Sequence, residues 1–235
     1  MSAPRKPIVY IISAPSGSGK STLVNEVVKL VPNLDFSISY TTRARRGSEQ
    51  DGKQYHFVTR EEFERMVHDN EFLEHAEFDG NYYGTARRYL REAERKGTDL
   101  LLDIDVQGAA QIHQRQPDAV SIFILPPDKK ELDWRLRKRG ENDDQTIQRR
   151  LDTASREIEK YDRYNYVLIN DRLEKSIERL EAILLSERLR RVERSLSEQE
   201  RAIVERADRL RLANVQEKIR PILDSFRKSP PPAQG

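Results

Sequence analysis

The stretch APSGSGKS, residues 14–21, follows the apolar run IVYIIS at residues 8–13. A strand that runs into a Gly-rich turn and closes on Lys-Ser is suited to hold phosphate. Gly17 and Gly19 let backbone N–H groups converge on phosphate oxygens with no Cβ in the way. A helix beginning after the turn adds its N-terminal donors and the positive end of its dipole. Lys20 is placed to reach the β- and γ-phosphates, and the Ser21 hydroxyl to ligate Mg2+. Ala14, Pro15, Ser16, Ser18 and Thr22 complete the set assigned to a bound nucleotide. A Gly/Ser loop ending in Lys by accident is the bland alternative, and the strand before it and helix after it count against that. ATP is therefore the expected ligand and Mg2+ the expected cofactor.

Outward from the loop, the same alternation of elements continues. DLLLDID at 99–105 reads as a buried strand ending in acids, and GAAQIHQ at 108–114 as a helix. AVSIFIL at 119–125 and YNYVLIN at 164–170 read as further strands, with Pro127 suited to open a helix. Apolar runs that do not alternate, separated by helical patterns, imply a parallel sheet covered on both faces. The fold class is thus α/β, a P-loop NTPase-type parallel sheet flanked by helices. Residues 36–88 are polar, rich in Tyr, Arg and Gly, and read as an irregular insert.

Composition narrows the function. The 235 residues carry 42 basic and 40 acidic side chains, a net charge of +2, which argues against a nucleic-acid partner. Cysteine is absent, which excludes disulfides, thiolate zinc sites and thiol catalysis. His56, His68, His75 and His113 have no metal-ligand spacing. The apolar run near the start is too short for a secretion signal or a bilayer span, so a cytoplasmic location without membrane contact is expected.

Four local constellations complete the pattern: SISYTTRARR at 37–46, GKQYHF at 52–57, NEFLEHAEF at 70–78 and GNYYGT at 80–85. With the loop, LLDIDVQGA, SIFILPP, RLRKRG and INDRL in the same order, the chain resembles the guanylate kinase family over about residues 7–190. The resemblance implies transfer of the terminal phosphoryl group of ATP to GMP, with residues 36–88 as the GMP-binding insert. Glu74 is similar to the family's guanine reader, a carboxylate accepting from the adjacent N1–H and N2–H donors of the base. Ser39 and Thr85 resemble hydroxyls that contact that base, and Arg43, Arg46, Tyr55 and Tyr83 resemble the grip on the monophosphate. Asp103 and Asp105 are expected to face the ligand at the carboxyl end of their strand. The resemblance implies that they orient GMP and water around Mg2+, Asp103 acting on the metal through water. Gly108 is expected to serve close packing.

Residues 137–150 resemble the family's lid. Arg135, Arg139 and Arg150 match its arginines, which with Lys20 and Arg43 form the expected catalytic set, while Arg137 and Arg149 read as solvated. Asn170 and Asp171 resemble residues beside the donor base, or form an ordinary cap. One departure stands out: TRARRGSE has Arg45 where the family usually has Pro, and Ser48 where it has Gly, so Arg45 is a rival to Arg46. Two other functions fit less well: a related phosphokinase with another phosphorylated acceptor such as a ribose bisphosphate, and a non-catalytic scaffold module of the same fold.

Beyond residue 190 the resemblance ends. Leu185, Leu189, Val192, Leu196, Gln199, Ile203, Arg206 and Leu210 step by four and three, which predicts a long helix docking on the core or on a second copy. A homo-oligomer through this helix is one expectation, and SPPPAQG at 229–235 reads as a disordered end.

Overall fold

The computed structural model describes residues 6–138 and 143–227. Two compact units divide the chain: residues up to Ser13 with Val24–Ile122, and Ala14–Leu23 with the chain from Phe123 onward. The disordered end expected at 229–235 and part of the lid lie outside the described residues.

The apolar runs form strands as their composition predicts. β1 (Val9–Ser13) pairs in parallel with β7 (Asp99–Asp103), which pairs on its other side with a short β2 (Leu34–Phe36). With β8 (Val120–Leu125) and β9 (Tyr166–Ile169) they make a five-stranded sheet of order β2-β7-β1-β8-β9. Ile11, Ile12, Leu100, Leu101 and Leu102 are fully buried, as strands covered on both faces require.

In the first unit, α1 (Lys20–Leu30) continues past the unit boundary, and α4 (Val106–Arg115) follows β7. The insert at 36–88 departs from expectation. It is an ordered four-stranded sheet of order β4-β3-β6-β5, comprising β3 (Tyr40–Thr41), β4 (His56–Phe57), β5 (Phe72–Phe78) and β6 (Asn81–Ala86). Two of these strands have only two residues, too short to leave a period in the sequence. Behind the sheet lies α2 (Arg60–His68), capped by Thr59, whose hydroxyl accepts from the Glu62 N–H. Phe63, Met66 and Phe72 form the insert's own apolar core, with Phe63 stacked on Phe72 at 4.5 Å. α3 (Arg87–Lys96) then leads to β7 and ends on Gly97 in the left-handed conformation.

The second unit holds the phosphate loop, α5 (Lys129–Lys138), α6 (Asp144–Ile158) and α7 (Leu173–Leu189). α5 begins two residues after Pro127, where Asp128 accepts from the Glu131 N–H at 2.6 Å. The tail corrects the expectation of one long helix. The chain breaks after α7, and Ser197 and Glu200 form a capping box that starts α8 (Glu198–Asp208), followed by α9 (Leu212–Phe226). The heptad-like stripe is thus shared between two helices, with Val192 exposed in the break. Residues 210–212 run antiparallel along β9: the Val167 N–H donates to Leu210 O at 2.9 Å and the Leu212 N–H to Asn165 O at 3.0 Å. Val215, Ile219, Ile222 and Phe226 of α9 are buried, and Ser225 Oγ accepts from the Lys129 N–H at 3.1 Å.

Candidate active site

The expected acceptor residues gather in the first unit on the insert's sheet. β5 and β6 pair so that Glu74 lies opposite Thr85, just past an irregularity in register after Phe72. Both side chains are sealed from water, Glu74 being 4% exposed and Thr85 0%. Thr85 Oγ1 is buried with no hydrogen-bond partner among the described residues. Gly108, in the first turn of α4, meets this pair. A Cβ there would stand 2.4 Å from Glu74 Oε2, so only glycine lets the carboxylate occupy its position. The packing role expected of Gly108 therefore has a specific object.

Burial pushes the Glu74 carboxyl up to about 7; Thr85 and, more weakly, Arg115 oppose the rise, while the Asp105 carboxylate adds to it. A carboxylate buried this deeply is costly to ionise unless a ligand completes its hydrogen bonds. Asp105 has a second task that sequence reading missed: it is the N-cap of α4, its Oδ1 accepting from the Gln107 and Gly108 N–H groups at 2.9 and 2.8 Å. Asp103 ends β7, half-buried. Ser39 lies between β2 and β3, half-buried, its carbonyl accepting from the His56 N–H at 2.9 Å.

The expected phosphate grip is also assembled. Arg43 is 8% exposed, and its Nη2 donates to both Glu49 oxygens at 2.8 and 3.0 Å. Its guanidinium lies 5.3 Å from the Tyr55 ring centre, and the Tyr55 and Tyr83 rings meet edge-on at 5.9 Å. Burial works against the charge of Arg43, but Glu49 and Tyr83 outweigh it and its pKa rises above the ordinary guanidinium value. Arg46 gives its backbone N–H to Glu49 Oε2 at 2.8 Å and leaves its side chain exposed. Arg45, the rival, lies over Phe57 at 5.2 Å. Glu49 escaped the sequence reading; the signal was an acid closing the same turn that carries both arginines.

The residues expected to hold ATP belong to the second unit. Gly17 and Gly19 have φ of 93° and 86°, which side chains with a Cβ rarely adopt. Space forbids one as well: at Gly19 a Cβ would stand 2.4 Å from Asn170 Nδ2, and at Gly17 2.9 Å from Leu132 and Leu136. Asn170 Nδ2 donates to Ser18 O at 2.6 Å, so the residue after β9 pins the loop. Arg135 Nη2 donates to Asn170 O at 3.1 Å while its Nε is held by Glu131 at 2.8 Å. Arg150 Nη2 donates to Ser16 Oγ at 2.6 Å. Ser18 Oγ is buried with no partner among the described residues, whereas Ser21 and Thr22 are exposed on the first turn of α1. Arg137 pairs with Asp133 and Asp144, and Arg149 is exposed, as expected of solvated positions. Arg139 lies outside the described residues.

A cavity of about 480 Å³ opens beside Gly17 and Gly19, walled by Trp134, Arg135, Lys138, Asn170 and Leu173. Trp134, half-exposed under the Lys138 ammonium at 4.8 Å, also went unnoticed in the sequence. Hard oxygen donors are the chemistry a magnesium ion takes, and the exposed Ser21 hydroxyl fits it. Among the described residues no group of three or more acidic or histidine side chains could hold a metal alone. Any ion here would be carried largely by phosphate oxygens and water.

Comparison with known proteins agrees with this arrangement. The family described as guanylate kinase matches residues 5–187. A guanylate kinase of Koribacter versatilis (strain Ellin345) is 54% identical over 227 residues, 95% of this chain and 97% of that protein. One from Photorhabdus laumondii is 48% identical over 185 residues, 78% of this chain and 89% of that protein. The crystal structure of guanylate kinase from Anaplasma phagocytophilum matches with a TM-score of 0.65 at 37% identity, over 77% of this chain and 86% of that one. With the phosphate loop, the buried acid and the matched segment in agreement, the chain belongs to the guanylate kinase family.

Proposed function

We propose that this chain transfers the terminal phosphoryl group of ATP to GMP, giving ADP and GDP. The observation that carries the reading is Glu74, buried behind Gly108 and beside the buried Thr85 hydroxyl. Guanine offers adjacent N–H donors to such a carboxylate and an O6 acceptor to a hydroxyl. Adenine offers neither pairing and would leave a buried acid unsatisfied, a mismatch that in comparable sites discriminates by roughly 10⁴.

A phosphate oxygen of GMP attacks the γ-phosphorus, the bond to the β-bridging oxygen breaks, and ADP departs. No strong general base is required, because the attacking phosphate is already anionic at neutral pH. The protein's part is positioning and charge. Arg43, Arg46, Tyr55 and Tyr83 would orient the GMP phosphate; to do so Arg43 exchanges part of its bond to Glu49 for phosphate oxygens. Ser39, Asp103 and Asp105 would complete the acceptor contacts. Ala14 to Thr22 would wrap the ATP phosphates, with Lys20, Arg135, Arg139 and Arg150 neutralising charge on the migrating group and Asn170 steadying the loop. Kinases of this kind typically need a divalent metal. Mg2+, held through Ser21 and phosphate oxygens, would supply further neutralisation, with Asp103 acting through water.

The deciding experiment is ADP formation from ATP and Mg2+ against a panel of nucleoside monophosphates and ribose bisphosphate. Turnover with GMP at least 10³-fold above AMP is expected. Turnover with another phosphorylated acceptor and none with GMP would refute the reading, and no ATP turnover at all would favour a scaffold. No helix among the described residues is long and apolar enough to cross a membrane. That is compatible with the cytoplasmic location we propose.

A further inference from the structure

A second cavity in the second unit, about 540 Å³ and open to solvent, lies among β9, α7, α8 and α9. Nearly half of its wall comes from residues beyond 187, where the family match ends. The Koribacter relative, aligned over 227 residues, carries a counterpart of that region.

The wall is strongly cationic. Lys175, Arg206, Arg209 and Lys218 all line it, and none makes an ion pair with a carboxylate among the described residues. Nearby arginines of the tail that do not line it are matched by acids: Arg190, Arg194 and Arg211 each pair with one. Glu178 and Asp171 are the acids of the wall, and Asp171 is already held by Arg179 at 2.8 Å. Ile169 and Leu210, both half-buried, supply an apolar side to the same space. Clustered like charges repel, so four unmatched cations around one small cavity call for a ligand with several negative charges close together. A polyphosphate chain has that density, and the apolar side suits a planar base. The volume is that of a small-molecule site.

We propose that this cavity binds a nucleoside polyphosphate, and that the bound nucleotide weakens ATP at the phosphate loop. The link is Asp171, which lines both this cavity and the one beside Gly17 and Gly19. Arg179 neutralises Asp171 and also donates to Ile169 O at 3.1 Å. Phosphate drawn onto Arg179 leaves the Asp171 carboxylate uncompensated at the edge of the ATP site, next to the Asn170 that pins Ser18. The coupling rests on the donor reading given above; binding to the cavity does not. By reciprocity, ATP at the loop weakens the second ligand by the same factor.

Calorimetric titration of the full chain with ATP tests this. The Lys20→Ala variant, which cripples the loop, is expected to retain one ATP site. Adding Arg209→Glu and Lys218→Glu is expected to weaken that site at least tenfold. Conversely, Arg209→Glu/Lys218→Glu alone should keep loop binding and turnover, which reports on its folding. A second readout needs no variant of the cavity: ATP should protect Lys175 and Lys218 from acylation in Lys20→Ala. Inorganic triphosphate should bind at least tenfold more weakly than ATP. No residual site in Lys20→Ala, a residual site indifferent to the charge reversals, unprotected lysines, or triphosphate binding as tightly as ATP would each overturn the assignment. Turnover assayed separately tells failure of this site from failure of the kinase reading.

Discussion

Glu74 and Thr85 lie opposite each other on paired strands, both closed to water, whereas Ser21 and Thr22 stand exposed beside a loop of bare backbone. The acceptor half we propose is built from buried side chains. The proposed donor half is built from glycines, backbone N–H groups and arginines on hydrogen-bonded tethers. An unmatched ligand in the first leaves buried polar groups unsatisfied, while in the second it loses only solvated contacts. Discrimination should therefore reside in the acceptor half and charge handling in the donor half.

The sharpest way to break this contrast is at Lys20. Lys20→Ala should lower kcat by about 10³-fold, the scale of losing a charge that stabilises the migrating group, with GMP affinity within about twofold of the parent. A steady-state assay with a separate GMP titration checks both, and a large loss of GMP affinity would dissolve the division. Next comes Glu74→Gln, which should cut kcat/KM for GMP by about 10²-fold or more and reduce the preference over AMP, leaving KM for ATP nearly unchanged. An undiminished preference for GMP would remove Glu74 as the reader. Gly108→Ala probes the same carboxylate from the far side. The added methyl displaces Glu74, and KM for GMP should rise about tenfold with little change for ATP.

The pH dependence sharpens the contrast further. The Glu74 carboxyl titrates near 7 when folded, above its ordinary value of 4.5. The folded protein thus binds this proton more tightly than the unfolded chain, so the associated stability is full below the unfolded value and is lost as pH rises through about 7. GMP needs the ionised form, and its binding should release a proton below pH 7. KM for GMP should climb by up to about tenfold per unit as pH falls from there. In Glu74→Gln only the phosphate's own titration near pH ~6 should remain. The smallest expected effect is on the donor side: replacing ATP by another nucleoside triphosphate should change kcat/KM by less than about tenfold, since no buried acid lines that cavity.

The two halves were also unequally legible in the sequence. The phosphate loop announces itself, because its spacing is local and each residue acts where it stands. Glu74, Thr85 and Arg43 are ordinary residues singly, and only the order of motifs around them singles them out. What joins them is long-range: Gly108 lies 34 positions from Glu74 in the chain, and no local pattern predicts that contact. The insert's sheet leaves little trace because β3 and β4 have two residues each, while β5 and β6 show no alternation of buried and exposed positions. The tail was misread by favouring a stripe over a cap. Ser197 and Glu200 carry the spacing that starts a helix, and that start interrupts the stripe.

The antiparallel run of residues 210–212 along β9 bears on how this protein can be handled. Cutting the chain near residue 190 to resemble its shorter relatives would strip the cover from the sheet's outermost strand. The exposed row of N–H and C=O groups, with Val167 and Leu168 behind it, would invite strand-to-strand aggregation. The tail thus acts as a built-in solubility guard, and a shortened form that precipitates would say nothing about whether the kinase core can fold.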